Sequence, residues 1–122
     1  MVARTVLVVD DTAMLRKLIA TVLERAGYAV LIAESGEAAL ATFVAAPAPV
    51  DMVITDWRMQ GMNGLELIGA LRELAPTLPI IFTSGSEPPR LDGATSFGFL
   101  RKPFTPTELI ELVSTTLAAA GR

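Results

Sequence analysis

The sequence contains neither cysteine nor histidine. That absence excludes disulfide frameworks, Cys/His zinc sites, imidazole general bases and Ser/His/Asp or Cys/His triads, so any chemistry must use carboxylates, Lys, Arg, hydroxyls or backbone amides. Basic residues are few and dispersed: 10 Lys and Arg stand against 13 Asp and Glu, a net charge of −3, and no basic run exceeds the pairs Arg16-Lys17 and Arg101-Lys102. Direct nucleic-acid binding by this chain is therefore not expected. Long apolar runs are missing as well. Ala38 to Val50, a charge-free stretch as long as any in the chain, contains Pro47 and Pro49 and is shorter than a membrane span. Met1 to Thr5 leads directly into a strand-like segment instead of a signal peptide, so no membrane association and cytoplasmic residence are the expectations by exclusion. What is present is a core. Of the 122 residues 52% are hydrophobic and 19% charged, a balance that excludes global disorder and suits one compact domain over residues 1–122.

Five short apolar runs alternate with helical patterns. Val6-Leu7-Val8-Val9, Ala29-Val30-Leu31-Ile32, Met52-Val53-Ile54-Thr55, Ile80-Ile81-Phe82-Thr83 and the weaker Phe97-Gly98-Phe99-Leu100 are nearly continuous in hydrophobicity, as strands covered on both faces of a parallel sheet should be. Between the first two runs, Leu15, Leu18, Ile19, Val22, Leu23 and Ala26 fall on a helical stripe that starts at Asp11 or Thr12 and stops at Gly27. Ser35-Gly36 opens a second helix carrying Leu40, Phe43 and Val44, which ends at the Ala-Pro-Ala-Pro loop. Asn63 with Glu66, and Thr105 with Glu108 around Pro106, predict capped starts for two more. Glu87 to Gly93 holds Pro88, Pro89 and Gly93, so the helix expected there by symmetry should be short, irregular or absent. The fold class is α/β, a doubly wound five-stranded parallel sheet.

Right-handed crossovers put every strand's carboxyl end on one edge of such a sheet, where ligands bind. After the first strand stand Asp10 and Asp11; the third ends at Asp56, the fourth at Ser84, and Lys102 follows the fifth. Crowded carboxylates repel one another, and a hard divalent cation that prefers oxygen relieves the repulsion, which makes Mg²⁺ the expected occupant. A carboxylate can also attack a phosphoryl group to give an acyl phosphate. The transition state then needs cations and hydrogen-bond donors around its equatorial oxygens, roles suited to Mg²⁺, Lys102, and Ser84 with nearby amides. Each residue has an ordinary reading too: Asp10-Asp11 as a strand exit and helix cap, Asp56 and Lys102 as loop charges, Ser84 as a cap, Phe99 as a core aromatic, Trp57, Met59 and Met62 as packing. Convergence on one edge favours the chemical reading of the acids and the lysine.

Four blocks of sequence together resemble the receiver domain of two-component response regulators. They are Val6-Leu7-Val8-Val9-Asp10-Asp11, Ile54-Thr55-Asp56-Trp57-Arg58-Met59-Gln60-Gly61-Met62-Asn63-Gly64, Ile80-Ile81-Phe82-Thr83-Ser84-Gly85 and Phe99-Leu100-Arg101-Lys102-Pro103-Phe104, in order and over nearly the whole chain. The resemblance implies flavodoxin-like topology with strand order 2-1-3-4-5 and a Lys102-Pro103 bond that is often cis. It implies Asp56 as the residue phosphorylated by a histidine kinase or phosphotransfer protein. Asp10, Asp11, Asp56 and the main-chain carbonyl of Arg58 would hold Mg²⁺. Ser84 would hydrogen-bond a phosphoryl oxygen, Lys102 would pair with another, and Phe99 would be the switch aromatic whose inward rotation accompanies activation. The protein would be a signalling phosphoacceptor that assists its own phosphorylation and dephosphorylation, not a turnover enzyme, and a downstream protein would distinguish its two states.

The sequence also departs from the family. Gln60 stands where a proline is common four residues after the phosphoacceptor, which should loosen that loop, and the segment between Ser84 and Phe99 is too short for a full fourth helix. The face from Phe97 to Leu117 is the expected output surface. Arg58, two positions beyond Asp56, is expected to lie over the phosphoryl group and influence water access. No effector domain is visible before Gly121-Arg122. Three other functions compete on the same residues. A receiver-like interaction or dimerisation module independent of phosphorylation is less favoured because the acid set is complete. A Mg²⁺-dependent phosphohydrolase lacks a second general acid and Asp-x-Asp spacing. A flavin-binding module would want Ser, Thr or Gly where Asp10 and Asp11 stand.

Overall fold

The computed structural model describes residues 3–85 and 98–121. Its elements follow the order β1 (Thr5–Val9), α1 (Ala13–Arg25), β2 (Ala29–Ala33), α2 (Gly36–Ala45), β3 (Met52–Asp56), α3 (Gly64–Leu74), β4 (Ile80–Ser84), β5 (Gly98–Arg101) and α4 (Pro106–Ala119). All strand pairs are parallel and the sheet order is β2-β1-β3-β4-β5, as the resemblance implies. The expectation of a shortened helix at Glu87 to Gly93 falls outside the described residues, as does Phe97.

Side chains alternate across the sheet and divide the core in two. Leu7, Val9, Val53, Ile80 and Phe82 pack with Ala39, Leu67, Ile68 and Leu71 from α2 and α3. On the opposite face Val6, Val8, Met52, Ile54 and Ile81 pack with Ile19, Leu23, Leu109, Val113 and Leu117 from α1 and α4. Every residue of β1, β3 and β4 is buried, which accounts for the unbroken apolar runs. β2 is different. It pairs only with β1, and Ile32 is 47% exposed, so its run is that of an edge strand and not of one covered on both faces.

Helix starts follow local chemistry. Asn63 and Glu66 form a reciprocal capping box before α3, Thr105 and Glu108 form another before α4 with Pro106 in the first turn, and the Ser35 hydroxyl accepts the Ala38 N–H before α2. α1 has no side-chain cap at Thr12. Instead the Thr12 N–H donates to Asp10 Oδ1 at 2.8 Å, which binds the start of the helix to the first acid of the carboxyl edge.

Candidate functional site

Strand register decides which side chains can meet. Val9 is level with Thr55, so the following residues, Asp10 and Asp56, lie side by side at the ends of adjacent strands. Asp56 is level with Thr83, which leaves Ser84 one step beyond; Ser84 is level with Arg101, which leaves Lys102 a further step out. The Lys102 N–H donates to the Ser84 carbonyl at 2.8 Å, and the long lysine side chain spans the offset back towards the acids. Its Nζ stands 3.2 Å from Asp10 Oδ2 and 3.3 Å from Asp56 Oδ2. The Lys102-Pro103 bond is cis.

Asp10, Asp11 and Asp56 each offer an oxygen within 4.8 Å of the others. Oxygens that share one octahedral ion at about 2.1 Å stand roughly 3 to 4.2 Å apart, so small side-chain adjustments suffice for a common cation. The donor set is all oxygen and formally −3, the chemistry a hard divalent ion requires, and the residues fit Mg²⁺. Asp10 is buried, Asp56 nearly so, and Asp11 exposed, which leaves one side of the cluster open to solvent. Burial pushes the Asp56 carboxyl above its ordinary value; the Asp10 carboxylate adds to the shift, while Lys102 and the Arg58 amide oppose it.

The surrounding residues fix this arrangement. Asp10 is anchored twice beyond its ion pair, through the Thr12 amide and through its own carbonyl, which accepts from Arg16 at 2.6 Å. The Arg58 N–H reaches Asp56 Oδ1 at 3.4 Å, and the Arg58 side chain is exposed. Ser84 is buried at the end of β4. Trp57 meets Phe82 edge to face, ring centroids 5.0 Å apart, and Phe82 is level with the half-buried Phe99 of β5. Trp57, Met59, Met62 and Phe99 all pack against the core beneath α2 and α3, as their packing reading expects. Gly64 allows β3 and α3 to meet: a Cβ there would stand 2.8 Å from the Asp56 carbonyl and 3.2 Å from the Trp57 Cα. Sequence reasoning overlooked Arg16 and Glu37, whose backbone partners lie 6 and 25 residues away and so leave no local pattern to read.

Residues 6–114 match the family model of the response regulator receiver domain. The chain belongs to that family. This receiver domain is 36% identical to the phosphate regulon transcriptional regulatory protein PhoB of Pseudomonas aeruginosa, over 99% of its own length and 55% of PhoB. It is also 36% identical to the transcriptional regulatory protein ResD of Bacillus subtilis, over 96% of its own length and 49% of ResD. The receiver domain thus spans about half the length of these curated relatives. Among solved structures it superposes on the Vibrio cholerae chemotaxis protein CheY4 with a TM-score of 0.85 at 31% identity, covering 94% of this chain and 99% of that one. In the receiver domain no helix among the described residues is long and apolar enough to cross a membrane.

Proposed function

We propose that this receiver domain accepts a phosphoryl group on Asp56 in a Mg²⁺-dependent transfer from a histidine kinase or phosphotransfer protein, and that the modified form switches conformation and partner. The observation that carries the reading is the meeting of three carboxylates and one ammonium on a single sheet edge: Asp10, Asp11 and Asp56 within 4.8 Å, Lys102 within 3.3 Å of two of them. In this reading Asp10, Asp11, Asp56 and the Arg58 carbonyl hold Mg²⁺. Bound there, the ion supplies positive charge against the phosphoryl oxygens as charge spreads over them.

The remaining chemistry belongs to the chain. An Asp56 oxygen attacks phosphorus in line with the donor nitrogen. The O–P bond forms as the P–N bond breaks, and the electron pair leaves on the imidazole nitrogen, which takes a proton. Lys102 exchanges its contact with Asp56 for one with a phosphoryl oxygen, and the Ser84 hydroxyl donates to another. Burial of Asp56 shields the acyl phosphate, and the exposed Arg58 side chain regulates the approach of water. Phe99 moves inward as Ser84 is drawn to the phosphoryl group, and the fifth-strand and last-helix face carries the output. Residues 1–122 act as one unit in the cytoplasm, and no DNA contact is assigned to them because no basic run exceeds two residues.

Trp57, the only tryptophan, adjoins Asp56 and reports on the site. Its fluorescence should change with Mg²⁺ and again with a small acyl-phosphate donor, while intact mass shows one added phosphoryl group. Asp56→Asn should keep the fold and lose the second change and the mass gain. Retention of the mass gain in that variant would reject Asp56 as the acceptor. Arg58→Ala should alter the dephosphorylation rate, and an unaltered rate removes its gating role.

A further inference from the structure

The segment from Trp57 to Asn63 joins Asp56 to α3. Its ends are fixed by backbone bonds: the Trp57 N–H donates to the Thr83 carbonyl at 2.9 Å, and the Gly64 N–H donates to the Trp57 carbonyl at 3.1 Å. Its middle lacks the proline that would preset a backbone angle, since Gln60 is exposed and Gly61 takes a φ of +77°, open to glycine at little cost. A chain of that kind is ordered by what grips it from outside.

The grip comes from α2. Glu37 Oε1 accepts the Met62 N–H at 3.1 Å across 25 residues of sequence. Beside it the Met62 side chain lies so close to Gly36 that a Cβ there would stand 2.9 Å from it. A Cβ on Gly61 would stand 3.2 Å from the same Glu37 oxygen. The carboxylate is itself held: its own backbone amide, then the Met62 amide, then the Ser35 hydroxyl keep Glu37 ionised below the ordinary carboxylate range. It also sits in the first turn of α2, where the helix favours negative charge.

We propose that Glu37 is a positioning residue for the phosphoacceptor loop, a latch from α2 to the Met62 amide that sets where Arg58 stands over Asp56. The inference rests on the reading in which the Arg58 carbonyl joins the acids around Mg²⁺. Arg58 lies four residues from the latched amide, and its own N–H is 3.4 Å from Asp56 Oδ1, a long contact that small loop shifts make or break. Loss of the latch leaves the three acids in place and frees the carbonyl, so ion affinity falls without abolition of the site.

The test uses the full chain with Glu37→Ala, Glu37→Gln and Glu37→Asp. Trp57 fluorescence gives the Mg²⁺ affinity, amide hydrogen exchange gives the protection of the Met62 N–H, and thermal melting gives stability. Glu37→Ala should weaken Mg²⁺ binding about three- to tenfold, the scale of one ordinary hydrogen bond, speed Met62 exchange and lower the melting midpoint by no more than roughly 5 °C. Glu37→Gln keeps an acceptor oxygen and should restore both readouts; Glu37→Asp, one methylene shorter, should behave like alanine. Equal Mg²⁺ affinity in the wild type and Glu37→Ala overturns the proposal, and so does a Glu37→Gln variant as weak as alanine. A wild type silent to Mg²⁺ overturns the phosphoacceptor reading instead. Met62 exchange then decides the latch alone, and unchanged exchange in Glu37→Ala defeats it.

Discussion

Asp56 holds its charge at a cost. It is 9% exposed, and desolvation with the neighbouring Asp10 carboxylate outweighs the help of Lys102 and the Arg58 amide, so its folded-state pKa is raised from 3.8. A carboxyl raised in this way binds its proton at higher pH when folded than when unfolded. Stability of the metal-free protein therefore gains as pH falls from above the raised value towards 3.8, and that gain is lost as pH rises back through it. Asp56→Asn should accordingly stabilise the metal-free protein at neutral pH, read by chemical denaturation. The advantage should shrink as the titration is repeated at lower pH. A destabilised variant at neutral pH would show that the Lys102 contact outweighs burial. The four charged groups of the site were legible in the sequence because each stands within two residues of the end of a strand-like run, and the topology brings such positions together. Arg16 and Glu37 were not, because a guanidinium on the Asp10 carbonyl and a carboxylate on the Met62 amide answer to backbone placement.

Among the elements, the starts of α3 and α4 were readable down to their caps, while for α1 the place of the start, Thr12, was readable and the bond that fixes it was not. Asn63 with Glu66 and Thr105 with Glu108 are local pairs whose bonds close within three residues. The start of α1 uses Asp10 from outside the helix, on the Thr12 amide, so a residue placed on the sheet edge also serves the helix. Asn63→Ala should cost about 1 kcal/mol of stability by removing the acceptor for the Glu66 amide. Gly64→Ala, one residue on, should cost more, about 2 kcal/mol or above, because the added methyl meets the Asp56 carbonyl, the Trp57 Cα and the Phe82 ring, and the carbonyl cannot retreat without moving β3. Denaturant midpoints for the two variants test the ranking. A Gly64→Ala variant milder than Asn63→Ala would mean that α3 can slide away from β3. β2 shows the opposite limit of reading by hydrophobicity: its apolar run resembles the central strands, and the strand order, which the family resemblance implied, is what makes it an edge.

At the scale of the molecule, the sheet is a device for bringing like charges together. Two apolar layers, one under α2 and α3 and one under α1 and α4, hold β1 and β3 in register, and that register forces Asp10 beside Asp56 whether or not their charges agree. The core supplies the free energy that keeps the acids close, and an ion that binds only the folded cluster returns part of it by mass action. At Mg²⁺ a hundredfold above its dissociation constant the return is about 2.7 kcal/mol. The unfolding midpoint should therefore rise by roughly 8 to 14 °C, at about 3 to 5 °C for each kcal/mol in a domain of this size. Asp11 tests the source of the rise, because it is exposed and its loss leaves the buried pair and Lys102 intact. Asp11→Ala should melt close to the wild type in chelator and lose most of the Mg²⁺-dependent rise. A midpoint that ignores Mg²⁺ in the wild type, or that climbs equally in Asp11→Ala, would show that the three carboxylates do not share an ion.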